Sequence, residues 1–312
     1  MLINKYKGNF ILLIAAMIWG VGFVFQKVGM DYIGPFTFGA LRFLLGAISL
    51  VPVMLVFDKH SKGKKETQLV EQPKRKKNGM LMGGFLCGLA LFVGASFQQI
   101  GIVGTTAGKT GFITALYIVI VPLFGILMKK KTTFPTWLGI CIAVMGLYFL
   151  TIKQGFSIQP YDGIVLIGTV FWALQIVLID IYVDKGDFLK LSFYQFATAG
   201  LLSSVAAVLV EKPDLNNILA CSTAILFMGI VDTGVAFTLQ TIGQKYTSPA
   251  IAGIILSLES VFAVISGAIF LDESMSTREL TGCLLVFAAV LITQINPQDM
   301  RGFFQRIGRG HQ

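Results

Sequence analysis

Apolar residues in this chain come in runs of about twenty, one after another, with only short polar segments between most of them. Wound as an α-helix at about 1.5 Å per residue, a run of that length crosses the roughly 30 Å hydrocarbon core of a bilayer. Windows of about nineteen residues mark ten runs, at approximately 8–28, 34–57, 79–98, 110–128, 134–152, 162–182, 189–210, 217–240, 248–271 and 277–295. Hydrophobic residues make up 55% of the chain and charged residues 13%, where soluble domains carry about 25% charge. An all-α membrane protein with ten transmembrane helices is therefore predicted. Too little chain remains outside the runs for an extramembrane domain of ordinary size, so any chemistry has to lie between helices.

The net charge of +9 follows topology and does not point to nucleic acid. Lys and Arg crowd alternate segments: Lys5 and Lys7, the linker 58–77 with its run of Lys and Arg, Lys129 to Lys131, Lys185 and Lys190, and Arg301, Arg306 and Arg309. The opposite segments hold only Lys27, Lys109, Lys153, Lys212 and Arg278. This asymmetry predicts an integral protein of the cytoplasmic membrane with both termini cytoplasmic. The first run is too long for a signal sequence and lacks a small-residue cleavage site, so it is expected as an uncleaved helix. The linker is expected to be a solvated loop near anionic lipid headgroups. Cys87, Cys141, Cys221 and Cys283 show no zinc or redox spacing, and His60 and His311 lie outside the runs. No metal and no cofactor is predicted.

The two halves resemble one another. Around Trp19, AAMIWG superposes on GTVFWA around Trp172. Gln98, Gly101, Thr105, Gly111, Leu116 and Gly125 recur at one constant offset as Gln240, Gly243, Thr247, Gly253, Leu258 and Gly267. Residues 1–155 and 156–296 therefore read as two five-helix repeats, followed by a cytoplasmic tail, 297–312. Five is odd, so the second copy enters the membrane from the other side. Inverted repeats place a substrate site near the bilayer midplane and permit alternating access.

Glu259 stands near the middle of the ninth run, where an unpaired charge costs about 2.5–3.5 kcal/mol or more. The surrounding LESVFAVISGAIFLDE, Leu258 to Glu273, resembles the Leu-Glu-Pro-Val-Phe-Ala…Leu-Gly-Glu signature on the ninth helix of EamA-type carriers in the drug/metabolite transporter superfamily. Trp19-Gly20, the repeated Trp172 and a length near 300 residues look the same. The resemblance implies a ten-helix carrier whose central cavity is lined by the first, third, fourth, sixth, eighth and ninth helices. It also implies a small metabolite as substrate, amino acids among them, often moved outward. Ser260 replaces the usual proline, Leu271-Asp272 replaces Leu-Gly, and Tyr117 stands in the first half where Glu259 stands in the second.

Helical spacing gathers polar and aromatic residues onto single faces. Trp19, Phe23 and Gln26 share one on the first helix. Ser96 and Gln99, with Gln98 beside them, lie on the third, and Thr110, Thr114 and Tyr117 on the fourth. Thr169, Trp172 and Gln175 lie on the sixth, and Gly229, Asp232, Ala236 and Gln240 on the eighth. Such faces avoid lipid, either as interhelical hydrogen bonds or as a substrate surface. The substrate-binding candidates are Trp19, Phe23, Gln26, Gln98, Gln99, Thr114, Tyr117, Trp172, Gln175, Asp232 and Glu259. Arg42 is a charge-pairing or coupling candidate with Asp232 and Glu259, two acids suited to a cationic group or a coupling proton.

Three further features carry structural expectations. VGTTAGKT, Val103 to Thr110, lacks the first glycine of a phosphate-binding loop and follows no strand. Gly79, Gly83, Gly84 and Gly88 form small-residue ridges for close packing. Pro122 predicts a bend in the fourth helix.

These features predict a secondary transporter for a small polar or amphipathic metabolite, amino-acid-like or amine-like. Its partners are membrane lipid and a coupling proton or ion. A membrane-embedded lipid or prenyl transferase, or a substrate-sensing receptor, is the alternative. The dispersed acids are unlike the clustered acids and metal of such enzymes.

Overall fold

A computed structural model of the chain describes residues 2–65, 77–151, 159–270 and 276–294. Most of the linker, all of the tail 297–312, and Asp272 and Glu273 lie outside the described residues. Every regular element among the described residues is a helix. The first three runs form α1 (Leu2–Gly29), α2 (Pro35–Lys65) and α3 (Lys77–Gly104). The fourth is split into α4 (Ala107–Ala115) and α5 (Tyr117–Leu127), and the fifth is α6 (Phe134–Thr151). Then come α7 (Pro160–Tyr182) and α8 (Phe188–Val210). The eighth run winds through α9 (Leu215–Ala220), α10 (Ser222–Leu226), a π-helix (Phe227–Phe237) and α11 (Thr238–Gln244). The ninth is split into α12 (Pro249–Leu256) and α13 (Glu259–Phe270), and α14 (Thr277–Thr293) follows.

Among the described residues, 8 helical stretches are long and apolar enough to cross a membrane; α6 and α14 are shorter, at 18 and 17 residues. Their side chains are distributed for lipid. Leu201, Val205, Val208 and Leu209 on α8 face outward, as do Leu280, Leu284 and Leu291 on α14. Gln26, Gln98, Gln175, Gln195 and Gln240 are buried. An apolar exterior over an interior studded with amides is the arrangement that hydrocarbon favours, because only inside can those amides find partners.

Glycines set how closely the helices approach. A Cβ on Gly168 of α7 would stand 3.0 Å from the carbonyl oxygen of Gly94 on α3, and one on Gly84 would stand 2.2 Å from the Tyr194 Cβ of α8. Gly79 meets nothing within 4 Å, so the ridge on α3 begins at Gly83, against Tyr182. Elsewhere Gly146 and Gly282 bring α6 and α14 together, each facing the other's carbonyl. The same contact occurs twice at one pair of crossings. Gly101 of α3 rests on Val165 and the Tyr161 carbonyl of α7, while Gly243 of α11 rests on Leu12 and the Gly8 carbonyl of α1.

Helix ends are closed by charged side chains. Glu211, just past α8, accepts hydrogen bonds from the Phe36 and Thr37 backbone N–H groups at 2.8 Å each and from the Thr37 hydroxyl at 2.5 Å, capping α2 from another helix. The Lys27 ammonium donates to the Ile102 carbonyl at 2.8 Å at the C-terminal end of α3, where the helix dipole favours a cation. Two ion pairs hold α7. Asp162 in its first turn pairs with Lys109 of α4 at 2.5 Å, accepts from the Thr105 hydroxyl at 2.9 Å, and accepts from the Gln159 N–H at 2.7 Å. Asp180 near its other end pairs with Lys130, just beyond α5. The segment resembling a phosphate-binding loop is thus the turn between α3 and α4, preceded by a helix.

Both interrupted helices break one residue before a site residue. The fourth run turns at Leu116, well before Pro122, which sits inside α5. The ninth turns at Ser257 and Leu258, where the Ser257 hydroxyl donates to the Ile254 carbonyl at 2.8 Å and tightens the turn without a proline. Leu116 and Leu258 are the leucines that match between the two halves of the sequence.

Candidate functional site

The two breaks face one another. Tyr117 opens α5 and Glu259 opens α13, and the Tyr117 hydroxyl donates to Glu259 Oε1 at 3.3 Å. The start of a helix favours negative charge, although at α13 the Ser260 and Phe262 N–H groups already donate back across the break to the Ser257 and Leu258 carbonyls. The two residues sit on the wall of a partly open cavity between the helices, with about 440 Å³ of empty space that includes its open side.

From α1 come Trp19, Phe23 and Gln26, from α3 Gln98, and from α4 Thr114. Across the cavity stand Trp172 and Gln175 of α7 and Asp232 of the π-helix, with Arg42 of α2 beside them. Gln99 is the exception among the candidates. It lines a separate cavity with about 220 Å³ of empty space between α2, α3 and α8, and its amide donates to the Gln26 carbonyl at 3.2 Å. Gln98 and Gln99 are neighbours on a helix, about 100° apart, so one face of α3 could serve only one of them.

Helical spacing missed Phe237 and Ile176, and it placed Gln240 on the Asp232 face without making it a candidate; all three line the main cavity. Phe237 is the hub of its aromatic wall, with ring centroids 4.6 Å from Trp19, 5.9 Å from Trp172 and 6.1 Å from Phe196. An α-helical period aligns Asp232 with Ala236. The observed π-winding aligns residues five apart and brings Phe237 onto the Asp232 face. No signal in the sequence marked that winding. Trp19 and Trp172 therefore meet through Phe237, and the indole N–H of each is buried with no hydrogen-bond partner among the described residues.

Two amide pairs flank the aromatic wall. Gln98 donates to Gln26 at 3.1 Å, and Thr114 donates to Gln98 at 3.4 Å. Gln175 and Gln240 exchange bonds at 3.3 and 3.1 Å, with Gln195 accepting a third at 3.2 Å. Charge is less well satisfied. Arg42 and Asp232 approach only to 3.7 Å, with side chains 4% and 2% exposed. Arg42 Nε and Asp232 Oδ2 have no hydrogen-bond partner among the described residues. Among the described residues no group of three His, Cys, Asp or Glu is placed to hold a metal. The cavity wall thus combines a carboxylate at a helix start, a loose buried ion pair, stacked aromatics and hydrogen-bonded amides.

Known proteins agree with this architecture. An uncharacterized transporter of Archaeoglobus fulgidus is 30% identical over 287 residues, which is 91% of this chain and 84% of that protein. The uncharacterized transporter YyaM of Bacillus subtilis is 26% identical over 304 residues, covering 92% and 93%. A solved crystal structure of a protein superposes with a TM-score of 0.74 at 17% identity, over 92% of this chain and 96% of its own, a likeness of fold alone. The sequence profile of the EamA-like transporter family fits residues 6–152 and fits again over 160–295. With a cavity between membrane-length helices and both halves matching one profile, the chain is an integral membrane transporter that belongs to the EamA-like transporter family.

Proposed function

We propose that the chain is a secondary carrier that moves a small polar or amphipathic metabolite with an amino group outward across the cytoplasmic membrane. Ten spans form two five-helix halves of opposite orientation, both termini are cytoplasmic, and the chamber opens alternately to each side. The supporting observation is the meeting of Tyr117 and Glu259 at matched breaks in the fourth and ninth runs. A carboxylate held there faces a cavity and not lipid, as a group that meets cargo or a coupling proton must. The twofold recurrence of contacts, with Gly101 on α7 and Gly243 on α1, supports the inverted arrangement, as does the family profile fitting each half. Trp19, Phe237 and Trp172 supply an apolar wall for the body of the cargo, and Asp232 and Glu259 supply the charge for its amino group.

Uptake into proteoliposomes tests this reading, after thermal-shift screening against amino acids and small amines selects a cargo. Glu259→Gln and Asp232→Asn are each expected to reduce uptake at least about tenfold, with the protein still folded and inserted. Wild-type rates and an unchanged pH dependence in both variants would remove the proposal.

A further inference from the structure

We propose that one symmetry-repeated clasp ties α1 to α7 at each end of the chamber, ionic at the Lys27 end and neutral at the Asn9 end, so that the carrier parts more readily at the neutral end. The proposal rests on the carrier reading and specifies how access to the site of that reading is governed.

Each clasp is built on a turn between two runs. At one end the turn from α3 to α4 is held on both sides. The Lys27 ammonium of α1 donates to the Ile102, Val103 and Thr105 carbonyls at 2.8, 3.4 and 3.4 Å. The Thr105 hydroxyl donates to Asp162 of α7 at 2.9 Å, and Lys109 pairs with the same carboxylate. At the other end the same two helices hold the end of α11 and its turn to α12. The Thr247 hydroxyl donates to the Asn9 side-chain oxygen of α1 at 2.9 Å, and the Gln244 amide donates to the Ile176 carbonyl of α7 at 2.8 Å. The Asn9 amide donates in turn to Gln294, just past α14, at 2.7 Å. Asn9 and Lys27 are 18 residues apart on α1, about 27 Å of rise, and Trp19 and Phe23 of the chamber wall lie between them.

The correspondence runs residue by residue. Thr105 and Thr247 match between the halves, and Asp162 stands ten residues before Trp172 as Asn9 stands ten before Trp19. The packing beside them repeats with its partners exchanged. A Cβ on Gly104 would lie 2.2 Å from the Tyr161 ring of α7, and one on Gly8 of α1 would lie 2.7 Å from the Tyr246 Cβ. Gly104 matches Tyr246 as Thr105 matches Thr247, and Gly8 matches Tyr161 as Asn9 matches Asp162. Two crossings built alike therefore differ in charge: where the first has a carboxylate and two ammonium groups, the second has amides and a hydroxyl. Hydrogen bonds to an ionised group are roughly twice as strong as neutral ones. Both links at the Lys27 end are of that kind, and both at the Asn9 end are neutral. Under the carrier reading the Asn9 end is cytoplasmic, so the bias favours loading from inside.

Spin-label distances in the purified full-length protein in lipid nanodiscs, with its native cysteines replaced, test the bias. Labels on Val28 and Gly163 report the separation of α1 from α7 at the Lys27 end, and labels on Lys7 and Asp184 report it at the Asn9 end. All four positions are exposed, and a Cβ on Gly163 meets nothing within 4 Å. The separated population is expected to be about tenfold larger at the Asn9 end than at the Lys27 end, and Asp162→Asn and Lys27→Gln are each expected to lower that ratio to about one. A wild-type population no larger at the Asn9 end, or a ratio that either folded variant leaves unchanged, overturns the proposal. If one variant fails to fold, the other decides. A charge-dependent bias in a protein that transports none of the screened cargoes would overturn the carrier reading and leave this one standing; uptake with distances indifferent to these charges would do the reverse.

Discussion

Gly34 has no room for a Cβ: one built there would lie 2.3 Å from the carboxyl carbon of Glu211. That carboxylate caps the start of α2 from the end of α8, so a single glycine permits a charged side chain to close a helix that begins with a proline. Gly34→Ala and Glu211→Ala are each expected to cost about 1–2 kcal/mol in denaturant unfolding, the range for losing an N-cap. Together they should cost little more than either alone, because both remove the same contact; full additivity would show that the cap contributes nothing. Single residues were also where the sequence was most readable. Glu259, Asp232 and Arg42 stood out because charge within an apolar run is costly, and all three line one chamber. Glu211 did not stand out, since a carboxylate at the edge of a run costs nothing and its partner lies on a distant helix.

Elements were legible in type but not in their irregularities. Apolar runs predict helices, yet the same composition fits α- or π-winding, so Phe237 was hidden behind Ala236 until the π-helix placed it beside Asp232. In the fourth run the break falls at Leu116, which nothing in the sequence marks, while Pro122 lies within α5. The element most tightly gripped is α7, held by Lys109 at one end and Lys130 at the other, roughly 27 Å apart along the helix. These grips are unequal. The Lys109–Asp162 pair is 22% and 5% exposed and is supported by two further hydrogen bonds, whereas Lys130–Asp180 is 47% and 17% exposed. Asp162→Ala is therefore expected to destabilise by about 2–3 kcal/mol and Asp180→Ala by less than about 1 kcal/mol. Melting temperatures of the two variants in one detergent check the order, and a reversed order would contradict it.

For the whole molecule, the repeat read from matched residues has a counterpart in matched contacts. Gly101 on α7 and Gly243 on α1 pack alike, the first on Val165 and the Tyr161 carbonyl and the second on Leu12 and the Gly8 carbonyl. If such halves rock against each other, the Lys109–Asp162 pair must part when the chamber opens at that end. In a chain with its own cysteines replaced, a short thiol crosslinker between Lys109→Cys and Asp162→Cys is expected to stop uptake, and a cleavable linker should restore it on reduction. Unchanged uptake in the crosslinked protein would rule out opening at that end. The shape of the sheath around the bundle follows from another feature. Helix α14 is capped at both ends within 17 residues, near 26 Å of rise, and α6 has 18, while α1 and α3 run to 28 residues each, so the helices of this bundle differ widely in length. A helix of that rise is short against a hydrocarbon core about 30 Å thick, so acyl chains beside α14 are expected to compress or disorder to meet it.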